Sequence, residues 1–440
     1  MSPAESDALL FQLDPSVATW RYYMRQAGSG GAPQQSSGPG IQELLNKLAR
    51  LAASGEPQAA SYWAYHVSRF SFFVTQAAAG LVAHHAAETL GSSFLPNSPP
   101  ILFTPEKPGS AGTPLQRLGA NASAELAMRL AECVGCWEQD LAYIQSGAYR
   151  MPWDMLTPNK QYNPLFIARR TLGFMAEATA TLQRRLRDAK EPVWLQSKLY
   201  PQYFTSTFHH QTDGWFSDRS ADIYEHSTEV LFVGRQDAMQ RSALPPISAY
   251  VAASPTPPSQ MRLLEVAAGT GRFHTFIKDN WPEMRSVCSD LSPFYLARAR
   301  RNLQEWKALR QPGKALGGVD DTGVEFMQMA AEKLDVPDAS FDIVVCVYLF
   351  HELPEAVRRK AVAEMFRVLK PGGLCVLTDS TQLGDRPEWD NLVANFGKFD
   401  EPWYVSFINH KLGETFKAAG FQPHIKYVSS ATKTLSFLKP

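Results

Sequence analysis

The sequence predicts an α/β protein: a doubly wound, mainly parallel sheet with a C-terminal antiparallel hairpin, preceded by a mainly α-helical N-terminal domain. Three observations carry this. Beyond a proline-rich break at 252–260 (AASPTPPSQ), short β-rich runs alternate with helical segments, which implies parallel βαβ units. The last two runs, FQPHIKYV and TKTLSFLK, leave little room for a helix between them, so they should pair antiparallel at one sheet edge. From about 41 to 190, apolar residues recur at i, i+3, i+4 and i+7, the period of an amphipathic helix.

At 440 residues the chain exceeds one ordinary domain. The expected division is a helical domain at 1–195, a connecting lid at 196–255, and the sheet domain at 256–440. Within the first, AGSGGAPQQSSGPG (27–40) reads as a flexible loop. Helices follow in IQELLNKLARLAA and in the aromatic run SYWAYHVSRFSFFVTQAAAGLVAHH, then at 121–146 and 164–188. Residues 91–112 read as an irregular crossing loop. The aromatic stretch 61–74 reads as a core helix, or as a dimer or membrane-edge face. Its polar side is not strongly basic, which weakens the membrane option. The later strands are LLEVA, SVCSD, VEFMQM, FDIVVCVYLF and LCVLTD.

Composition excludes several classes. Lys plus Arg and Asp plus Glu stand at 43 each, so the basic surplus of a nucleic-acid footprint is missing. Five cysteines are sparse and odd in number, which suits a reducing compartment. Cys133-Val-Gly-Cys136 lacks the second pair that zinc needs, so it reads as helix packing and no metal is expected. The start, MSPAESDALLFQLDP, lacks a basic n-region and long apolar core. No apolar run reaches the roughly 18 residues of a spanning helix. These features predict a cytoplasmic protein, or one of an organelle such as a plastid if a targeting segment is missing from this chain.

Function concentrates at LLEVAAGTGRF (263–273). A dinucleotide loop wants G-x-G-x-x-G; Gly269 and Gly271 fit, but the third place holds His274. No lysine follows the glycines, which excludes a P-loop. Glu265, at the strand end, would repel phosphates and suits a cationic ligand.

This pattern resembles motif I of the class I S-adenosylmethionine-dependent methyltransferases, an acid followed by Gly-x-Gly-x-Gly, with Ala267 in place of the first glycine. The likeness covers roughly 255–440 and is closest to the small-molecule type, similar to the quinone methyltransferase or type 11 group. It implies a Rossmann-like sheet of seven strands and S-adenosyl-L-methionine as cofactor. By the same resemblance Glu265 faces the methionine amino group, and Ala267, Gly269 and Gly271 admit the cofactor. Asp290 accepts the ribose hydroxyls, with Leu291 beside it. Ala331 and Glu332 match the adenine-side stretch, where Ala330 replaces a common acid. Asp342 reads as structural. The Leu-Lys-Pro-Gly-Gly turn, with Pro371, Gly372 and Gly373, leads into the next strand.

Ligands of open α/β sheets lie beyond the carboxyl ends of the strands, so Tyr348 to Glu352 should line the site. Methyl transfer needs alignment and exclusion of water, and a base where the acceptor carries a proton. His351 is the candidate base by its titration range; orienting the cofactor or capping a helix are its other roles. SADIYE (220–225) is similar to the Ala-x-x-Tyr-acid lead-in of quinone-type relatives, which implies that Tyr224 contacts the cofactor and adds it to the catalytic candidates. Arg241 would approach the cofactor's carboxylate. In FHHQTDGWFS (208–217), His209, His210, Gln211, Asp213 and Trp215 read as a lid over the acceptor, with His210 a further catalytic candidate; a turn at Asp213-Gly214 with a buried Trp is the alternative.

The helical half is expected to enclose the acceptor in a partly apolar pocket. The sequence thus reads as a methyltransferase acting at O, N or C of an aromatic, quinone-like or other natural-product acceptor. A non-catalytic cofactor-binding regulator and a protein methyltransferase stay open as alternatives. Nucleic-acid amino-methylation is disfavoured, because VYLFHELP stands where those relatives carry an Asn/Asp-Pro-Pro-aromatic motif. A homodimer is one use for the aromatic face.

Overall fold

The computed structural model describes all residues except 24–45, 47–48, 51–55, 92–113, 156–162, 187–192, 208–210, 311–322 and 397–400. The expected loop at 27–40, most of the helix at 41–53, nearly all of the crossing loop at 91–112, and His209 and His210 lie outside the described residues.

The strands are β1 (Gln12–Leu13), β2 (Arg262–Val266), β3 (Arg285–Asp290), β4 (Val324–Gln328), β5 (Phe341–Val347), β6 (Leu369–Ser380), β7 (Gln422–Ser429) and β8 (Thr432–Leu438). They form one sheet in the order β1-β7-β8-β6-β5-β2-β3-β4. Strands β2 to β6 run parallel, and β8 pairs antiparallel with both β6 and β7. The central strands are apolar along their length because helices cover both faces. Successive residues of β5 enter opposite cores: Ile343 and Val345 join one, Val344 and Cys346 the other, as the pleat requires.

The sheet has one strand more than the seven expected. β1 lies parallel to β7, Gln12 opposite Ile425, and the Asp14 N–H donates to the Lys426 carbonyl at 2.9 Å. A bare edge strand exposes unpaired backbone groups; the N-terminal segment covers this one. It is held there by a buried cluster in which Asp7 takes Lys426 at 2.8 Å and Lys433 at 2.9 Å, while Asp385 also binds Lys426. Helix Pro3–Leu10 packs on helix Leu412–Ala418, and helix Pro15–Arg21 on β7.

The long helices run Pro57–Gly91, Pro114–Gln145 and Pro164–Leu186. Each starts on a proline, whose missing N–H costs nothing at a first turn. Trp63 and Trp137 from these helices share a core with Ile247 of the helix Leu244–Ala253, Phe276 of the helix Arg272–Asn280 and Val345 of β5. Cys133 and Cys136 are buried there, their thiols near the Val233 carbonyl and the Ser429 hydroxyl. Asp342 is structural: it accepts the Arg262 N–H and pairs with Lys370, each at 2.8 Å.

Candidate active site

Strand β2 delivers the glycine loop to the carboxyl edge of the sheet. Ala267, Gly269 and Gly271 have φ of 55°, 56° and 68°. Gly271 has no room for a side chain: a Cβ there would lie 2.7 Å from that of Ala299 on the helix Pro293–Arg310. Its role is packing, and it does not line the cavity. Ala267 and Tyr348 (φ 56°) are left-handed without being glycine; such residues cost about 1–3 kcal/mol each and cluster at functional sites.

Strand β3 ends on Asp290, whose Oδ2 accepts the Gly269 N–H and whose Oδ1 accepts the Ser292 N–H, both at 2.8 Å. Each oxygen keeps a second lone pair. Burial pushes this carboxyl up to about 6, against the N–H groups of Ser292 and Gly269 that favour its ionised form.

The slot of the third glycine has a use that the sequence did not disclose. His274 Nδ1 lies 2.7 Å from Glu265 Oε2, and its Nε2 2.8 Å from Ser286 Oγ. Burial pulls the imidazole down to about 3 and drives the Glu265 carboxyl upward. The contact is therefore a hydrogen bond to a neutral ring. A protonated Glu265 donates to Nδ1; an ionised one accepts from Nδ1–H, and the Ser286 hydroxyl then donates to Nε2.

These groups open on a cavity of about 410 Å³. The structure brings Glu265, Ala267, Gly269, Asp290, Leu291, Ala331, Tyr348 and Tyr224 to its wall, with Met329 and Ala330 beside Ala331. Tyr348 shares a 2.6 Å hydrogen bond with Thr432. The Tyr224 ring stands edge-on to Trp215 and Tyr295, each at 5.8 Å. A close-approach backbone loop flanked by two acids, Glu265 from β2 and Asp290 from β3, fits a ligand with a cationic tail and a vicinal diol, as adenosylmethionine has.

Other expected residues are not on this wall. Glu332 takes the Tyr203 hydroxyl on both oxygens at 2.8 Å, and Tyr203 lines the cavity instead. His351 is held with Nδ1 2.6 Å from Asp379 Oδ1 and Nε2 3.5 Å from Glu352 Oε1. Burial opposes its charge, but Asp379 outweighs this and holds the imidazole at about 9. At neutral pH it is a cation without a lone pair to offer, and it is Glu352 that reaches the cavity. Arg241 is buried elsewhere, donating to both oxygens of Asp140 at 2.9 and 2.6 Å. Of the expected lid, Trp215 lines the cavity, Gln211 donates to the Tyr295 hydroxyl at 2.6 Å, and Gly214 turns with φ 53°.

Sequence reasoning missed the far wall as individual residues. Tyr65, Arg69, Phe72 and Phe73 come from helix Pro57–Gly91, Phe166, Ile167 and Arg170 from helix Pro164–Leu186, and Gln236, Asp237 and Gln240 from the short helix Gln236–Gln240. The aromatic density of 61–74 was the available signal.

Residues 264–377 match the family described as methyltransferase domain. The chain is 32% identical over 159 residues to a demethylmenaquinone methyltransferase of Deinococcus radiodurans, covering 36% of this chain and 56% of that protein. It is 27% identical over 182 residues to the ubiquinone/menaquinone biosynthesis C-methyltransferase UbiE of Desulfotalea psychrophila, covering 41% of this chain and 61% of that one. The chain thus spans less than two thirds of the length of either relative. The crystal structure of the YcgJ protein of Bacillus subtilis aligns at 28% identity over 38% of this chain and 63% of its own, with a TM-score of 0.29. With the loop geometry, the family match means that this chain carries a class I S-adenosylmethionine-dependent methyltransferase domain.

Proposed function

We propose that this chain transfers the methyl group of S-adenosylmethionine to a small aromatic, quinone-like acceptor. The observation that carries the reading is the continuity of one cavity from the strand-end acids Glu265 and Asp290 to the aromatic wall of the N-terminal helices. A cofactor alone does not require that second, apolar half. The names of the quinone methyltransferases quoted above favour the same acceptor class.

When bound, adenosylmethionine supplies an electrophilic methyl on a cationic sulfur. Glu265 would pair with its ammonium, and Asp290 would accept from the ribose hydroxyls. Leu291, Met329 and Ala331 would flank the adenine. Tyr224 and Tyr348, whose hydroxyls burial keeps protonated, would close the site around the reacting centre. In-line displacement then depends on alignment and on a dry site.

The test uses the full chain with cofactor labelled in its methyl group and a cell extract as the source of acceptors. Label should enter a small, solvent-extractable product, with S-adenosylhomocysteine formed in equal amount. Binding of cofactor without any such product across a broad set of extracts would defeat the reading; label in macromolecules would redirect it to a protein acceptor.

A further inference from the structure

The cofactor leaves one wall of the cavity unassigned. Helices Pro57–Gly91, Pro164–Leu186 and Asp218–Leu231 contribute to it, with Phe72, Phe73, Phe166 and Ile167 as its apolar surface. Among the described residues, four buried polar atoms on this wall have no hydrogen-bond partner: Arg170 Nη1, His226 Nε2, Glu229 Oε2 and Gln236 Oε1. All four side chains line the cavity. A buried polar atom left unsatisfied is destabilising, so four on one wall call for a polar ligand or ordered water.

Their chemistry limits the ligand. Arg170 only donates, and the Gln236 carbonyl only accepts. Burial, with Arg170 and Arg69 nearby, pulls His226 down to about 4, so its ring is neutral. The planar groups stack with rings: the Arg170 guanidinium lies 4.8 Å from the Phe166 centroid and the His226 ring 5.8 Å from that of Phe73. Flat apolar walls with mixed donors and acceptors suit an aromatic ring that carries oxygen.

Glu229 is distinct among the four. Its Oε1 is engaged by Arg69 Nη2 and by the Asp237 N–H, each at 3.3 Å, which leaves Oε2. Resting on the methyl-transfer reading, we propose that this wall binds the acceptor as a hydroxylated aromatic ring, and that Glu229 Oε2 receives the hydroxyl proton as the methyl arrives. The oxygen's electron pair forms the new bond to the methyl carbon. The sulfur–methyl bond breaks with its pair left on sulfur as a thioether, and the proton ends on Glu229. Burial drives this carboxyl to about 7 against the pull of Arg69; Asp237 and Arg272, from neighbouring helices, act in opposite senses. A base in that range is matched to neutral pH.

The test takes the full chain saturated with S-adenosylhomocysteine and titrates it with 2-naphthol and with 2-methoxynaphthalene, followed by naphthalene fluorescence. The wild type should bind the naphthol at least about tenfold more tightly, the order of one hydrogen bond to a charged group. Glu229→Ala should lose that preference while its affinity for S-adenosylhomocysteine stays within about threefold, which also reports that it folds. Glu229→Gln keeps an acceptor oxygen. With adenosylmethionine as donor it should bind 2-naphthol no more than about tenfold more weakly than wild type and, with 2-naphthol saturating, form 2-methoxynaphthalene about 100-fold or more slowly, within the range for loss of a general base. Equal binding of the two naphthalenes, or binding of neither, by protein that still holds S-adenosylhomocysteine overturns the acceptor site. Undiminished turnover in Glu229→Gln, or none in wild type, overturns the base. Failure to bind S-adenosylhomocysteine at all strikes the methyl-transfer reading instead.

Discussion

Consider replacing Asp290 by Asn and measuring cofactor affinity as a function of pH. Burial moves this carboxyl from 3.8 to about 6, opposed by the N–H groups of Ser292 and Gly269. Its value in the folded chain is above that in the unfolded chain. The proton it holds therefore stabilises the empty fold fully below pH 3.8, and that contribution is lost as pH rises through about 6. The difference amounts to about 3 kcal/mol. At neutral pH the unliganded protein keeps a buried carboxylate at that cost. Two ribose hydroxyls would offset it, because they donate to the ionised form. Affinity for S-adenosylhomocysteine in the wild type should accordingly be flat from pH 7 down to about 6, then fall about tenfold per pH unit. Glu265 is also raised by burial, so a steeper fall would mean that its proton is released too; Glu265→Gln isolates that share.

Asn at 290 can accept only one of the two backbone N–H groups and turns an NH2 toward the other. Lost charge-assisted bonds of about 1.5–3 kcal/mol correspond to roughly 10- to 100-fold weaker binding at pH 7. Isothermal titration calorimetry between pH 5 and 8 reads both effects. Wild-type affinity that stays constant from pH 5 to 7, or an Asn variant that binds as tightly as wild type at pH 7, would refute the assignment of Asp290 to the ribose.

Three further outcomes follow from the same geometry. His351 titrates at about 9 in the fold, above 6.5, so its stabilising contribution is complete below pH 6.5 and disappears as pH rises through about 9. The gap in unfolding free energy between wild type and His351→Gln, from urea titrations, should narrow by about 3 kcal/mol across that window; a constant gap counts against the Asp379 pairing. His274→Ala strips a partner from both Glu265 and Ser286 and should destabilise the fold by about 2–5 kcal/mol while weakening cofactor binding; a variant as stable as wild type would remove His274 from the site's support. Asp7→Ala leaves Lys426 and Lys433 to share one carboxylate, Asp385, and should cost about 3–5 kcal/mol by thermal or urea unfolding, whereas a loss below about 1 kcal/mol would show that the N-terminal segment is not clamped there.

The contrast between what the sequence disclosed and what it hid is physical. Glu265 and Gly269 were legible because strand and turn are contiguous, and Asp290 because it ends the next parallel strand, β3, whose pairing with β2 brings it to the same carboxyl edge. The two-residue β1 was not, because so short a segment has no periodicity of its own; it is a strand only because β7 offers an edge. On helix Pro57–Gly91, Tyr62, Trp63 and His66 are buried, with Trp63 and His66 packed against Trp137, whereas Tyr65, Arg69, Phe72 and Phe73 line the cavity. A helical period gives the same signal for an apolar face turned to a core as for one turned to a ligand, so no residue of that wall could be singled out. His351 illustrates the same limit at one residue's resolution. The tail of β5 reaches the cavity through Tyr348 and Leu349, but the 3-10 turn Phe350–Glu352 and the arrival of Asp379 from β6 decide which side chain beyond them faces inward. That decision is made by a strand pairing, Cys346 with Leu377 and Val347 with Thr378, between residues some thirty positions apart. It holds His351 as a cation at neutral pH and turns Glu352 to the cavity in its place.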